Sequence, residues 1–255
     1  MLFFILKKVI KLFPVVLLFI NGFLLSFLLI GCVDTSKQYS NVYLIKLEYN
    51  QTSPLFANVN AAYKSANSST ELATMSITIG YMGVCVKVSE NLSCTTFKSL
   101  DTFSNVSGVS IIPTKAKVMT PQLDLVKLAK SFNKICHPRI LMAAIIMDLV
   151  LLVILCYCSI PLMPGKPALH ICASALAFCN SLLWGLGAML QQESVFTTSK
   201  IVGDSAMGVI SATIGTRASA ISWVAFTFQL VVTIACVVDV FQDIGAKQNK
   251  IGQKC

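Results

Sequence analysis

The 255 residues are 55% hydrophobic and only 12% charged, with a mean hydropathy of +0.75. A soluble domain carries about twice that share of charge to cover its surface, so the composition excludes one and points to a membrane protein. The formal charge of +9 is spread along the chain; it leaves no nucleic-acid footprint, and the lysines beside apolar runs suit anionic lipid headgroups instead.

Residues 1–12 hold Lys7, Lys8 and Lys11 and are expected to form a cytoplasmic N-terminus. They lead into the first of four apolar runs, 13–32, followed by 139–160, 168–190 and 217–240. Each has about the 20 residues that a helix needs to cross the hydrocarbon. Two other readings stand beside a retained first anchor. Leu29-Ile30-Gly31-Cys32 has the form of a bacterial lipoprotein cleavage box, and a eukaryotic signal peptide would leave the later orientation unchanged. The length of the apolar core and the three further spans favour the anchor.

Residues 33–138 form the long first outer segment. Asn41 to Tyr49, Met75 to Val88 and Asn91 to Phe97 are rich in β-branched and aromatic residues and predict three strands, with a polar loop over 58–70. Pro121 to Phe132 places Leu125, Leu128, Ala129 and Phe132 on one face of an amphipathic helix behind a proline. All four Asn-x-Ser/Thr sequons, at Asn50, Asn67, Asn91 and Asn105, fall in this segment. They are expected glycosylation sites, and they agree with the lysine pattern that puts the segment outside.

The proline-rich turn 161–167, with Lys166, predicts a cytoplasmic hairpin between the second and third spans. Residues 191–216 read as a second outer connection whose apolar half, 206–215, leaves the start of the fourth span open. Lys247, Lys250 and Lys254 place the tail 241–255 inside, so both termini are expected in the cytoplasm of a multi-pass plasma-membrane protein. The expected fold class is a bundle of four membrane helices carrying a small extracellular antiparallel sheet.

Ten cysteines divide by compartment. Cys85 and Cys94, outside and at hairpin spacing, predict a disulfide. Cys32 and Cys136 are candidates for a second bridge, although Cys32 equally suits a buried apolar position. Cys156 and Cys158 lie near the inner end of the second span, where packing or palmitoylation would account for them.

Gly80-Tyr-Met-Gly-Val-Cys85, with Cys94 following in a hairpin, resembles the glycine-cysteine signature of claudin-like fungal tetraspans, the pheromone-induced calcium-regulator and membrane-fusion family. Gly31-Cys32, Asn41-Val-Tyr-Leu and Arg139 extend the likeness. Gly80, Gly83, Cys85 and Cys94 are its motif. The tryptophan that claudins place before the motif is absent; Trp184 and Trp223 lie in the third and fourth spans. The resemblance implies action at cell contacts during mating: membrane organisation and cell fusion, with promotion of low-affinity calcium influx. The implied partners are membrane lipid and either like molecules or another membrane protein at the contact or fusion site, with no nucleic acid.

A self-contained calcium pore fits the residues poorly. The first outer segment has ten lysines against six acids, which repels cations. Asp148, alone within the second span, is the exception. It reads either as part of a cation path, in a transport component or channel accessory, or as a hydrogen-bonded carboxyl joining helices. Asn180, Ser174, Ser181 and Ser222 are its candidate partners, and Arg217 a weaker one. Trp184-Gly-Leu-Gly187 suits close helix packing. His137 and His170 lack a third ligand nearby, and no catalytic or nucleotide motif is present, so no enzyme, metal or cofactor is expected.

Overall fold

The computed structural model describes residues 2–66, 72–88, 91–97, 99, 125–136, 138–160, 166–206 and 208–252. The chain falls into two compact units. A helical unit consists of Met1–Ser26, Arg139–Met189 and Ile221–Cys255, and a sheet unit of Phe27–Pro138 and Leu190–Ala220.

Among the described residues four helices are long and apolar enough to cross a membrane: α1 (Leu2–Ile30), α5 (Arg139–Ser159), α6 (Lys166–Ser205) and α7 (Thr216–Gly252). Lipid offers the backbone no hydrogen-bond partner, so such runs satisfy themselves internally as helices. On these helices Phe23, Val153, Leu186 and Ile234 are 63, 68, 62 and 63% exposed. Water would penalise those faces, whereas hydrocarbon does not. Their opposite faces supply a core of Leu17, Leu18, Leu151, Leu155, Ala173, Ala177, Val232 and Cys236. Thr233 bonds Ala177 and Phe226 lies against Gly185, so α6 and α7 run antiparallel.

Among the described residues the sheet unit holds five antiparallel strands in the order β4-β3-β2-β1-β5. They are β1 (Ile45–Tyr49), β2 (Met75–Ile79), β3 (Gly83–Val88), β4 (Asn91–Thr96) and β5 (Ile210–Ile214). Ile45, Leu47 and Tyr49 on β1, and Met75, Ile77 and Ile79 on β2, alternate into the core with half-buried neighbours. That is the period of two a half-covered sheet requires. The unit also holds the short helices α2 (Lys37–Ser40), α3 (Phe56–Ala66) and α4 (Leu125–Ile135).

Several sequence expectations are corrected. Met75 to Val88 is two strands, because the chain reverses at Gly80-Tyr81-Met82. The loop expected over 58–70 is helical as far as Ala66, its alanines overriding the polar residues. The amphipathic helix begins at Leu125 and buries Ala129 and Phe132 as expected; 121–124 lie outside the described residues. The third helix starts at Lys166, with Pro167 tolerated in its first turn, and runs to Ser205 rather than ending at 190. Residues 191–216, the expected outer connection, consist of a helix end followed by β5. The segments 1–12 and 241–255, for which the sequence carried no secondary-structure expectation, are largely helical extensions of α1 and α7. The sequence pointed to three strands; the fifth comes from the far side of the chain and pairs with β1 from Ile45↔Ile214 to Tyr49↔Ile210.

Candidate functional site

Two constellations stand out, one in each unit. In the sheet unit, β3 and β4 are joined by a disulfide between Cys85 and Cys94, which face each other directly in the register. Cys85 is buried, and its Sγ lies 3.5 Å from the carbonyl oxygen of Cys32. The glycines of the motif have a steric reason. A Cβ on Gly80 would strike the Gly31 carbonyl, and one on Gly83 the Cys32 carbonyl, with Val33 N only 2.8 Å away. The β2–β3 turn therefore lies backbone to backbone against the exit of α1, a contact only glycine permits. Cys32 itself adopts a left-handed φ of 63°, and its amide donates to the Tyr39 carbonyl at 3.0 Å.

Inside the same turn, Tyr81 is buried, and its hydroxyl donates to Gln191 Oε1 at 2.8 Å. Burial, with the Cys136 thiol beside it, pushes the phenol well above its ordinary value. Cys32 and Cys136 are both buried free thiols, so no second bridge forms. Burial, only partly offset by hydrogen bonds from Ser194 and Tyr81, pushes Cys136 up to about 11. Compared with an ordinary thiol, its thiolate population near pH 8 is lower by about 100-fold. Maleimide labelling of the folded protein at Cys136 should be slower by at least that factor and recover on denaturation; fast labelling of native material would contradict the burial.

Of the sequons, Asn50 follows β1, and its Oδ1 accepts from the Thr52 amide at 3.1 Å and the Thr52 hydroxyl at 2.6 Å. Asn91 is exposed at the start of β4. Asn67 and Asn105 lie outside the described residues, as does His137.

The second constellation lies within the helical unit. Asp148 on α5 is 2% exposed. Its Oδ2 accepts from Asn21 Nδ2 of α1 at 2.6 Å and its Oδ1 from Asn180 Nδ2 of α6 at 2.7 Å. Asn21 Nδ2 also donates to Gln229 Oε1 of α7 at 3.3 Å. Of the expected partners, Asn180 is in place. Ser174, Ser181, Ser222 and Arg217 are not bonded to the carboxyl, and Arg217 is exposed at the first turn of α7. Asn21 and Gln229 were missed; the available signal was one strong hydrogen-bonding side chain in the middle of each apolar run. Cys156 is exposed and Cys158 buried on α5. His170 approaches Asp243 at 3.9 Å, and among the described residues no group of three metal-ligating His, Cys, Asp or Glu side chains is found.

Replacing Asp148 with leucine would strand two buried amide donors, each costing about 1–3 kcal/mol. Asp148→Leu should therefore lower the thermal midpoint of the purified protein clearly more than Asp148→Asn, which keeps an acceptor; equal melting of the two would discount the network as helix glue.

Comparison with known proteins covers most of the chain. The family model described as "Ca2+ regulator and membrane fusion protein Fig1" matches residues 61–242. The "Factor-induced gene 1 protein" of Saccharomyces cerevisiae is 28% identical over 256 residues, spanning 90% of this chain and 83% of that protein.

Proposed function

The chain belongs to the family of Ca2+ regulator and membrane fusion proteins, and from that membership we propose that it is a claudin-like tetraspan of the plasma membrane acting at cell contacts in mating. In this reading it is not an enzyme. Its braced sheet lies outside, both termini lie inside, and the sheet engages like molecules or another membrane protein to organise the fusion site, where low-affinity calcium influx is promoted. The observation that carries the reading is the bracing itself. The Cys85–Cys94 bond and the glycine contacts at Gly31 and Cys32 hold one rim of the sheet, and β5 pairs along the other side of β1. Among the described residues strand β4 is an edge of the sheet, a ready surface for strand addition or side-by-side recognition. A rigid recognition surface loses less entropy on binding than one that must order itself.

Imaging the tagged protein tests the location: concentration at the contact zone of mating cells is expected, and an even distribution in dividing and mating cells alike would count against it. Direct conduction is separable from an accessory role. The purified protein in bilayers should pass no calcium current by itself and restore one only with its partner present. A calcium current from the protein alone that Asp148→Asn abolishes would instead make it the transport component.

A further inference from the structure

Each of the four membrane helices contributes one carboxyl or amide side chain to a buried cluster: Asn21, Asp148, Asn180 and Gln229. They are 1, 2, 1 and 0% exposed, and hydrogen bonds connect them within the helical unit. The cluster is richer in oxygen than its bonds use. Among the described residues Asn21 Oδ1 and Asn180 Oδ1 are buried without a partner, as is Gln229 Nε2. An amide oxygen has two lone pairs, so Gln229 Oε1 keeps one beside the bond it accepts from Asn21, and all three amides hold oxygen capacity for a ligand. From this we propose that the four side chains form a mid-membrane binding site for a monovalent cation of the sodium type.

The charge balance selects the ion. Asp148 is the one carboxylate in the cluster, and one positive charge neutralises it within the hydrocarbon; a divalent ion would leave a net charge there at high cost. Calcium also requires six to eight oxygens, more than one carboxyl and three amides provide.

Next to the cluster, Trp184 lies one turn beyond Asn180 and Ser222 two turns from Gln229, and Trp184 Nε1 and Ser222 Oγ are likewise buried without a partner among the described residues. This inference stands independently of the contact-zone reading.

The test is thermal unfolding of the full chain in neutral-lipid nanodiscs, titrated with sodium chloride at constant ionic strength against choline chloride. A saturable rise of the midpoint by about 3 °C is expected, lost in Asp148→Asn. Asn21→Ala, which keeps the carboxylate, should retain the rise but shift its half-point to about 10-fold higher sodium. Identical melting in sodium and choline would overturn the proposal. So would an undiminished sodium effect in Asp148→Asn, or an Asp148-dependent response to calcium or to pH alone.

Discussion

Gly83→Ala is expected to remove the protein from the cell surface. The added methyl would sit against the Cys32 carbonyl group, 2.5 Å from its carbon and 2.8 Å from Val33 N. Those are backbone atoms, so no side chain can rotate away to admit it. Either the β2–β3 turn or the exit of α1 must move, and Cys32 is already held there in a left-handed conformation. The cost should be about 3 kcal/mol or more, the upper range for overpacking a well-filled interior. Gly80→Ala meets the Gly31 carbonyl and should behave alike. Gly22→Ala and Gly203→Ala, with nothing within 4 Å of the new methyl, are the controls. Surface labelling and thermal melting provide the measurement. Normal delivery of Gly83→Ala would show that the glycine motif does not serve the packing described above.

The second large effect should come from Cys85→Ser and Cys94→Ser. In the unfolded chain the bond closes a short loop, which in the chain-entropy model stabilises the folded state by about 2–3 kcal/mol. For a five-stranded sheet whose rim depends on β3 and β4, that is a large share of a typical margin. Each single variant should lose surface delivery and mating fusion. The double variant should be no worse than the singles, because once one sulfur is gone the bond is gone. Fusion at the normal level by both single variants would defeat the proposed role of the sheet. A double variant far worse than either single would mean that the side chains contribute through packing rather than through the bond.

Much of the site was legible because its signals are local. Cys85 and Cys94 fall nine positions apart in a segment rich in strand formers, and a hairpin brings such a pair together without help from the rest of the chain. The reversal inside Met75 to Val88 was harder to see. Tyr81 and Met82 look like strand residues, and only the pressure of Gly31 and Cys32 against Gly80 and Gly83 makes the turn necessary. Strand β5 was concealed for a different reason. Ile210-Ser-Ala-Thr-Ile214 is five residues long and precedes an apolar helix, so hydropathy merges it with the span, although Gly208 and Gly215 punctuate both its ends.

By itself the sequence determined the membrane class, the four apolar helices and the position of the one acid buried among the described residues, because transfer of twenty apolar residues into lipid outweighs any local alternative. Tertiary structure decided which side chains meet that acid. Asn180 was among the partners expected from the sequence, but Asn21, which also bonds the carboxyl, and Gln229, which bonds Asn21, lie far away along the chain with nothing in their spacing to distinguish them from isolated polar residues. Helix packing turns them to one level, where an unshared hydrogen bond is most costly, and that cost makes the four converge.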